Sequence, residues 1–269
     1  MSFDLDRYLA RISHVPLPVS PAGLAALQMA HQTAIAFENI DAYLGRVPDL
    51  DPGALWRKLV QDGRGGWCIE HALLYGTALA ALGYPARQVL GRVRMGAPTG
   101  GPRAHLAHVV TLDDGAWLTD TGFGGPGPAA PLRLGNPAAV ETPLGTYRLR
   151  ADAATGEQVL ERRDGDDWLS LWGFDDVAVT APDIVAANVL CARWDASPFP
   201  HHLMLNRVTG TGRVSLFDRQ FNRDGDGSEI DGLGAFAATL ADDFGLVLDS
   251  ATLRDLWQRL AAAASRAAA

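Results

Sequence analysis

The stretch RGGWCIEHALLYGTALAALGYP, residues 64–85, lies where the sequence changes from a helical to a stranded pattern. It predicts a helix that begins near Cys68 and ends at Gly83, because glycine is a common residue just past a helix C-terminus. Two earlier segments begin with a capping side chain followed by proline, at Ser20-Pro21 and Asp51-Pro52. Both pairs are typical of a helix N-terminus, so the chain is expected to begin with helices.

The residues that follow have the pattern of β-strands. Residues 87–95 predict one strand. Residues 105–112 and 116–121 flank Asp113-Asp114-Gly115, which is a strong signal for a hairpin. Further short strands are expected as far as about Trp172. The middle of the chain therefore predicts an antiparallel sheet or barrel.

The last part of the chain mixes both patterns. A helix is expected after Pro182, then a hairpin formed by residues 203–208 and 213–217, then two helices with a frayed alanine-rich end. Helices, an antiparallel sheet and a mixed segment together predict an α+β fold. The expected units are residues 1–84 (helical), 85–181 (the sheet or barrel) and 182–269 (mixed α/β).

Composition excludes several classes of protein. With 269 residues, of which 48% are hydrophobic and 20% charged, the chain is expected to be a soluble globular protein. A formal net charge of −8, without any basic run longer than a pair, argues against nucleic-acid binding. Isolated arginines such as Arg92 and Arg94 remain available to a phosphorylated small molecule.

The cellular compartment is predicted from the N-terminus and the cysteines. The sequence MSFDLDRYLARI lacks the apolar core of a signal peptide, and no segment has the apolar length of a transmembrane helix. The two cysteines, Cys68 and Cys191, are too few for a disulfide framework or a multi-cysteine zinc site. We therefore expect a cytoplasmic protein without a membrane partner, in which one cysteine can be a reactive thiol.

Cys68 is the first candidate for chemistry. It follows Arg64-Gly65-Gly66-Trp67 and opens a predicted helix, whose free amides and partial positive charge stabilise a thiolate and can hold an oxyanion. The glycines permit a tight turn and the close approach of a substrate carbonyl. A buried structural cysteine is the alternative, and spacing leaves both interpretations open.

A cysteine nucleophile needs a base and a group that orients the base. His105 and His108 lie on one predicted strand, and Asp120 lies on the next strand of the same hairpin. Histidines three residues apart face opposite sides of a strand, so only one of them can meet Asp120 on a given face. The hairpin register decides which one, and the sequence does not determine that register.

Three other patterns are weaker. Residues 222–227 resemble the start of a calcium loop, but Leu233 occupies the position that requires a glutamate, so a polar hairpin turn is expected. Residues 122–127 are glycine-rich yet lack the Lys-Ser/Thr of a nucleotide-binding loop. Cys191 lies in an apolar helical stripe with Ile184 and is assigned to the core. No metal site is expected.

Five motifs together resemble one enzyme family, the arylamine N-acetyltransferases. They are FENID at 37–41, RGGWCIE at 64–70, PRAH at 102–105, DTGFGG at 120–125 and PLRL at 131–134. Their order and spacing fit along nearly the whole chain. The resemblance implies a helical N-terminal part, a central antiparallel β-barrel and a C-terminal α/β lid, with a Cys-His-Asp core like that of cysteine proteases.

The resemblance also implies roles for single residues. It makes Cys68 the nucleophile, His105 its base, through the PRAH context, and Asp120 the group that orients the base. Phe37 and Phe123 match aromatic residues that line the family's amine pocket, and Gly124 matches a loop near the acyl and coenzyme A site. Two further matches, Arg64 and Glu38, are expected to pair and brace the catalytic helix, and Ala72 departs from the family's usual asparagine.

The implied function is transfer of an acetyl group from acetyl-CoA to arylamines or arylhydrazines, in two steps through an acetyl-cysteine. Acetyl-CoA and a small aromatic amine or hydrazine are the expected partners, with no prosthetic group. Three alternatives stay open. They are a Cys-His-Asp thiol hydrolase of the transglutaminase or papain kind, a binding module with an inactive site, and a macrolactam-forming amide synthase of the same family.

Overall fold

The computed structural model describes residues 3–210 and 212–267. Ser20 and Asp51 each accept a backbone N–H from the first turn of the helix that follows them, as predicted. No helix in these residues is long and apolar enough to cross a membrane. The alanine-rich end that was predicted to fray includes residues 268–269, which lie outside the described residues. The helices are α1 Leu5–Arg11, α2 Pro21–Ala34, α3 Ile40–Tyr43, α4 Pro52–Trp56 (continued by a π-helical turn, Arg57–Gln61), α5 Cys68–Ala81, α6 Ala181–Arg193, α7 Leu233–Phe244 and α8 Ser250–Ala267.

The strands form two antiparallel sheets. The larger sheet has the order β5-β4-β3-β2-β9-β8-β7-β6, and β5 at one edge lies against β7, so the sheet curls into a nearly closed barrel. The smaller sheet has the order β1-β10-β11-β12-β13. The strands are β1 Phe37–Glu38, β2 Ala86–Val93, β3 Arg103–Leu112, β4 Gly115–Thr119, β5 Leu132–Arg133, β6 Val140–Thr142, β7 Gly145–Asp152, β8 Glu157–Asp164, β9 Asp167–Phe174, β10 Met204–Val208, β11 Arg213–Phe217, β12 Gln220–Arg223 and β13 Asp226–Glu229.

The α+β class and the barrel are confirmed, and one strand boundary was wrong. Asp120 was expected inside a strand, but β4 ends at Thr119, which pairs with His108. The Asp120 carboxylate accepts hydrogen bonds from the backbone N–H groups of Gly122 and Phe123, at 2.9 and 3.1 Å. These bonds turn the chain away from the strand direction, because a short carboxylate side chain competes with the ladder for backbone donors.

The smaller sheet joins distant parts of the chain. Phe37 pairs with Asn206 and Glu38 pairs with Leu205, so β1 is the edge strand of a sheet whose other members follow α6. The same residue, Phe37, forms a parallel bridge with Gly66, just before α5. The division into units 1–84, 85–181 and 182–269 stays a prediction, and the smaller sheet joins residues of the first and last of these units.

Two buried histidines, His31 of α2 and His71 of α5, lie in a chain of hydrogen bonds that runs in one direction. The His71 Nε2 lies 3.2 Å from the carbonyl oxygen of Ala36, which can only accept, so this nitrogen donates. His71 Nδ1 therefore accepts from His31 Nε2 at 2.9 Å, and His31 Nδ1 accepts from the Tyr8 hydroxyl at 2.8 Å. Burial lowers the pKa of both histidines, to about 4 for His71. Each is neutral in the folded protein at pH 7.

Because these histidines are buried in the neutral form, we expect the folded protein to be less stable in mild acid. Burial also lowers the pKa of His108 to about 4. Because the unfolded chain binds protons near pH 6.5 and these folded sites do not, lowering the pH from 7 to 5 favours unfolding by about 2 kcal/mol for each of His71 and His108. His105, whose pKa is raised, acts in the opposite sense. Urea unfolding at both pH values measures the net loss.

The variant His108→Gln isolates one contribution. Its stability should fall by about 2 kcal/mol less than that of the unsubstituted protein between pH 7 and pH 5, because one titrating site has been removed. Equal pH-dependent losses in the two proteins would contradict the assignment of His108 as a buried neutral imidazole.

Candidate active site

Cys68 is the first residue of α5, and its side chain is buried. The turn before it is held by Glu70, whose carboxylate accepts the Trp67 N–H at 3.1 Å. The two preceding glycines are packed too closely for any side chain. A Cβ at Gly65 would lie 2.2 Å from the Ala36 oxygen, and one at Gly66 would lie 2.8 Å from a Glu70 oxygen. Glycine is therefore required at both positions for this turn to pack against β1 and α5.

The structure pairs His105, not His108, with Asp120. His105 Nε2 lies 2.8 Å from Asp120 Oδ2, and both side chains are buried. His108 lies on the other face of β3, where its ring meets α5, and a Cβ at Gly76 would lie 2.5 Å from its Nε2. The register of β3 and β4 thus answers the question that the sequence left open.

The pKa of His105 is determined by two opposing effects. Burial disfavours the imidazolium, but the charge and hydrogen bond of Asp120 outweigh it and raise the pKa of His105 to about 10. Burial raises the pKa of the Cys68 thiol, and the hydrogen bond and charge of His105 act against this increase. The sequence indicated two influences that favour the thiolate, the helix N-terminus and a histidine base, but burial, which favours the thiol, is the larger influence on Cys68.

The loop after Asp120 lies directly against the nucleophile candidate. A Cβ at Gly122 would lie 2.7 Å from the Cys68 Cα, so only glycine permits this approach. The next residue, Phe123, packs edge-to-face against the His105 ring, with 5.0 Å between centroids. The DTGFGG motif therefore brings Asp120, Phe123 and the start of α5 to one place.

A cavity of about 400 Å³ opens beside Cys68 and His105. Its walls are largely apolar, and no Lys, Arg, Asp or Glu side chain of the described residues lines it. Phe37 and Phe123 line it, whereas Gly124 lies behind Phe37, where a Cβ would be 3.0 Å from the ring. Their role toward an amine or an acyl donor stays a prediction. The other aromatic walls, Phe199 and Phe217, had no signal in the sequence.

Cys191 also lines this cavity. Cys191 is buried, as the sequence indicated. Its place in the wall of the cavity, beside Cys68, was not predicted. The sulfurs of Cys191 and Cys68 lie 3.8 and 3.7 Å from the same acceptor, the carbonyl oxygen of Ala104. Burial raises the pKa of Cys191 to about 12, so this second thiol stays protonated at neutral pH.

A charged network braces the turn before Cys68. Arg64 and Glu38 pair as expected, with 2.5 Å between Nη2 and Oε1. Lys58, which sequence reasoning missed, contacts the buried Glu70 carboxylate at 2.7 Å and Asp41 at 2.7 Å. Lys58 belongs to none of the five motifs and lies in the π-helical turn, so the sequence did not indicate its contact with Glu70.

Removing Lys58 should destabilise the protein. The variant Lys58→Ala leaves the Glu70 carboxylate, whose side chain is 1% exposed, without its cationic partner. Burial raises the pKa of Glu70 to about 7 even beside Lys58, so without Lys58 this carboxyl is protonated at pH 7. The loss of the buried partner should then cost about 1–3 kcal/mol. Urea unfolding measures the change. The matched control is Arg46→Ala, which removes an exposed partner of Asp41 and should change stability by less than about 1 kcal/mol.

The other residues considered as ligand sites in the sequence have structural roles instead. Residues 222–227 lie in the hairpin of β12 and β13, whose turn is Asp224-Gly225, in agreement with the predicted polar hairpin turn. Among the described residues, no group of three or more His, Cys, Asp or Glu side chains is arranged to hold a metal ion. Arg94, considered for a phosphorylated ligand, is instead buried against Asp152 and Glu157.

Comparison with known proteins identifies the family. An N-acetyltransferase family model matches residues 22–253. The arylamine N-acetyltransferase / N-hydroxyarylamine O-acetyltransferase of Salmonella typhimurium is 38% identical over 226 residues, covering 83% of this chain and 80% of that protein.

Two solved structures have the same fold. The arylamine N-acetyltransferase of Salmonella typhimurium superimposes with a TM-score of 0.89 at 33% identity, covering 96% of this chain and 98% of that one. The Mycobacterium marinum arylamine N-acetyltransferase in complex with CoA gives 0.85 at 34% identity, covering 97% and 98%. The chain belongs to the arylamine N-acetyltransferase family.

Proposed function

We propose that this protein transfers an acetyl group from acetyl-CoA to the nitrogen of an aromatic amine or hydrazine, through an acetyl-Cys68 intermediate. One observation carries the proposal: Cys68 and the His105–Asp120 pair meet at one apolar cavity, in a chain of this family. Relatives named arylamine N-acetyltransferase, and one structure of such an enzyme with CoA, support the choice of donor and acceptor.

The first half-reaction acetylates Cys68. Asp120 accepts from His105 Nε2 and favours the imidazolium form, which in turn favours the thiolate of Cys68. The thiolate attacks the thioester carbonyl, and the C–S bond to coenzyme A breaks. His105 returns its proton to the departing sulfur, which leaves as free coenzyme A. One thioester replaces another, so the step is nearly balanced in energy.

The second half-reaction uses the neutral His105. The amine nitrogen attacks the acetyl-Cys68 carbonyl, its proton passes to the imidazole, and the bond to sulfur breaks. The apolar walls, including Phe37 and Phe123, favour a flat aromatic acceptor through ring contacts. With no lysine or arginine among the described residues that line it, the cavity suits a neutral arylamine better than a carboxylated one.

Intact-mass spectrometry tests the proposal. Mixing the protein with acetyl-CoA alone should add one acetyl group that maps to Cys68, and a neutral arylamine such as 4-methoxyaniline should remove it. If no acetyl group is added while Cys68 still reacts with a thiol reagent, acetyl-CoA is not the donor. A thiol hydrolase that processes amides would then fit the site better.

We also propose a cytoplasmic location. The support is the pair of unbridged cysteines, both buried, one of which serves as the nucleophile in the proposed mechanism. Fractionation of cells that express the protein from its own gene measures the location, and recovery in a secreted or membrane fraction would contradict it.

A further inference from the structure

One wall of the cavity at Cys68 is a face of the smaller sheet. Phe37 of β1, Asn206 of β10 and Ser215 of β11 line the cavity and pair in a single row across the three strands. Met204 and Phe217, which also line it, form the neighbouring row on the same face. The wall is therefore built on paired backbone, which holds each of these side chains at a defined position.

Asn206 is an unusual residue for this wall. Asparagine is depleted in strands, and Asn206 is buried, with 6% of its surface exposed. Its side-chain amide can both donate and accept, yet it has no hydrogen-bond partner among the described residues. A buried amide without a partner lowers the stability of a fold, so its presence here indicates a partner that the chain itself does not supply.

The row that contains Asn206 begins at the turn before Cys68, because Phe37 also forms a parallel bridge with Gly66. Adjacent strands lie about 5 Å apart, so the backbone of Asn206 is about 10 Å from that of Gly66, with Phe37 between them. Since the side chains of Cys68 and Asn206 both extend into the cavity, the space between them suits a single aromatic ring with one group at each end. A ring in this position would contact Phe37.

We propose that Asn206 selects among arylamine acceptors by binding a neutral polar group on the ring opposite the amine. This inference rests on the proposed function, in which the amine nitrogen lies at Cys68. A carboxamide suits the site, because it can accept from the Asn206 Nδ2 and donate to its Oδ1. A carboxylate suits it less, because no Lys or Arg side chain of the described residues lines the cavity. A few polar groups in an apolar pocket commonly determine how a ligand is oriented.

The decisive variant is Asn206→Leu, which keeps the approximate size of the side chain and removes its hydrogen bonds. It is compared with the unsubstituted protein on two acceptors of similar shape, 4-aminobenzamide and 4-isopropylaniline. Each protein is first acetylated with acetyl-CoA and freed of coenzyme A by gel filtration. Loss of the acetyl group from Cys68 is then followed by intact mass against amine concentration. Because the donor is absent, this experiment measures the second half-reaction alone.

We expect the second-order rate constant for 4-aminobenzamide to fall about tenfold in Asn206→Leu, while that for 4-isopropylaniline stays the same or rises. The carboxamide also withdraws electrons from the amine, but this effect is common to both proteins and cancels when their acceptor preferences are compared. The exposed Asn136 supplies the control, since Asn136→Leu should leave the preference unchanged. An equal loss with both acceptors would overturn the proposal, because Asn206 would then support the cavity itself. An unchanged preference would overturn it too, because the amide would then bind water alone.

The stability of Asn206→Leu gives a second measurement. Replacing a buried amide that has no partner by leucine should raise the urea midpoint of unfolding. Removing a hydrogen bond that holds the fold together would lower it instead. A lower midpoint would therefore show that Asn206 has a structural partner and would overturn the proposal.

Calorimetric binding of the two amines to the unacetylated protein distinguishes this inference from the proposed function. The Kd of 4-aminobenzamide should rise about tenfold in Asn206→Leu, and that of 4-isopropylaniline should not. If the amines bind in this way but acetyl-CoA never acetylates Cys68, the proposed function fails and the role of Asn206 holds. If acetyl transfer occurs with the same acceptor preference in both proteins, the role of Asn206 fails alone. If neither amine binds and no acetyl group is transferred, both fail.

Discussion

Cys68→Ala should abolish the gain of an acetyl group from acetyl-CoA and lower the rate of amine acetylation by at least about a thousandfold. The methyl group of alanine cannot carry the acyl group, and no other described residue has a nucleophile hydrogen-bonded to the His105–Asp120 pair. The substitution removes a single sulfur atom, so the protein should stay folded. Intact mass and the rate of product formation are the measurements.

The other thiol supplies the control. Cys191 lines the same cavity and shares the Ala104 carbonyl with Cys68. Because its pKa of about 12 keeps it protonated, Cys191→Ala should still gain one acetyl group that maps to Cys68. An acetyl group that persists in Cys68→Ala and disappears in Cys191→Ala would make Cys191 the nucleophile and refute the assignment.

The second large effect is expected from Asp120→Asn. Asp120 accepts from His105 Nε2, which leaves Nδ1 to receive the Cys68 proton. An asparagine would donate its amide N–H to Nε2 instead, so the ring proton would move to Nδ1 and block that acceptor. Catalysis by the analogous triads of serine proteases falls about ten-thousandfold after this change, and we expect a loss of about a thousandfold or more.

The fold should tolerate this substitution. The oxygen of asparagine can still accept the backbone N–H groups that Asp120 Oδ1 accepts from Gly122 and Phe123. The control is Asp113→Asn, an exposed residue of the same hairpin, which should leave the acetylation rate unchanged. The rate at which iodoacetamide alkylates Cys68 should fall with the acetylation rate in Asp120→Asn. Full alkylation with lost acetylation would mean that Asp120 acts on a later step.

Local patterns in the sequence predicted much of this architecture. The hairpin at Asp113-Asp114-Gly115 and the helix that starts at Cys68 depend on turn chemistry and capping, which act over a few residues. The choice between His105 and His108 needed the resemblance, because strand register depends on partners elsewhere in the sheet.

The remaining parts of the site come from contacts between distant positions. Lys58 meets Glu70 only because a π-helical turn places it there, and Cys191 reaches the cavity from the far end of α6. The strand β1 is two residues long, too short to have a pattern, and its partner lies in β10. No periodicity along the chain encodes such contacts, so the sequence alone did not predict them.

The pairing of β1 with β10 has a consequence for the protein during its synthesis. A nascent chain that has emerged as far as Asp120 contains all three proposed triad residues, but Phe37 then has no Asn206 beside it. The apolar wall of the cavity also needs Phe199 and Phe217. Contacts this far apart in sequence form late and slow the overall folding rate. Ribosome-bound fragments that end near residue 130 should therefore have an accessible Cys68 thiol and no acetyltransferase activity, because the cavity is complete only after β11 has been synthesised.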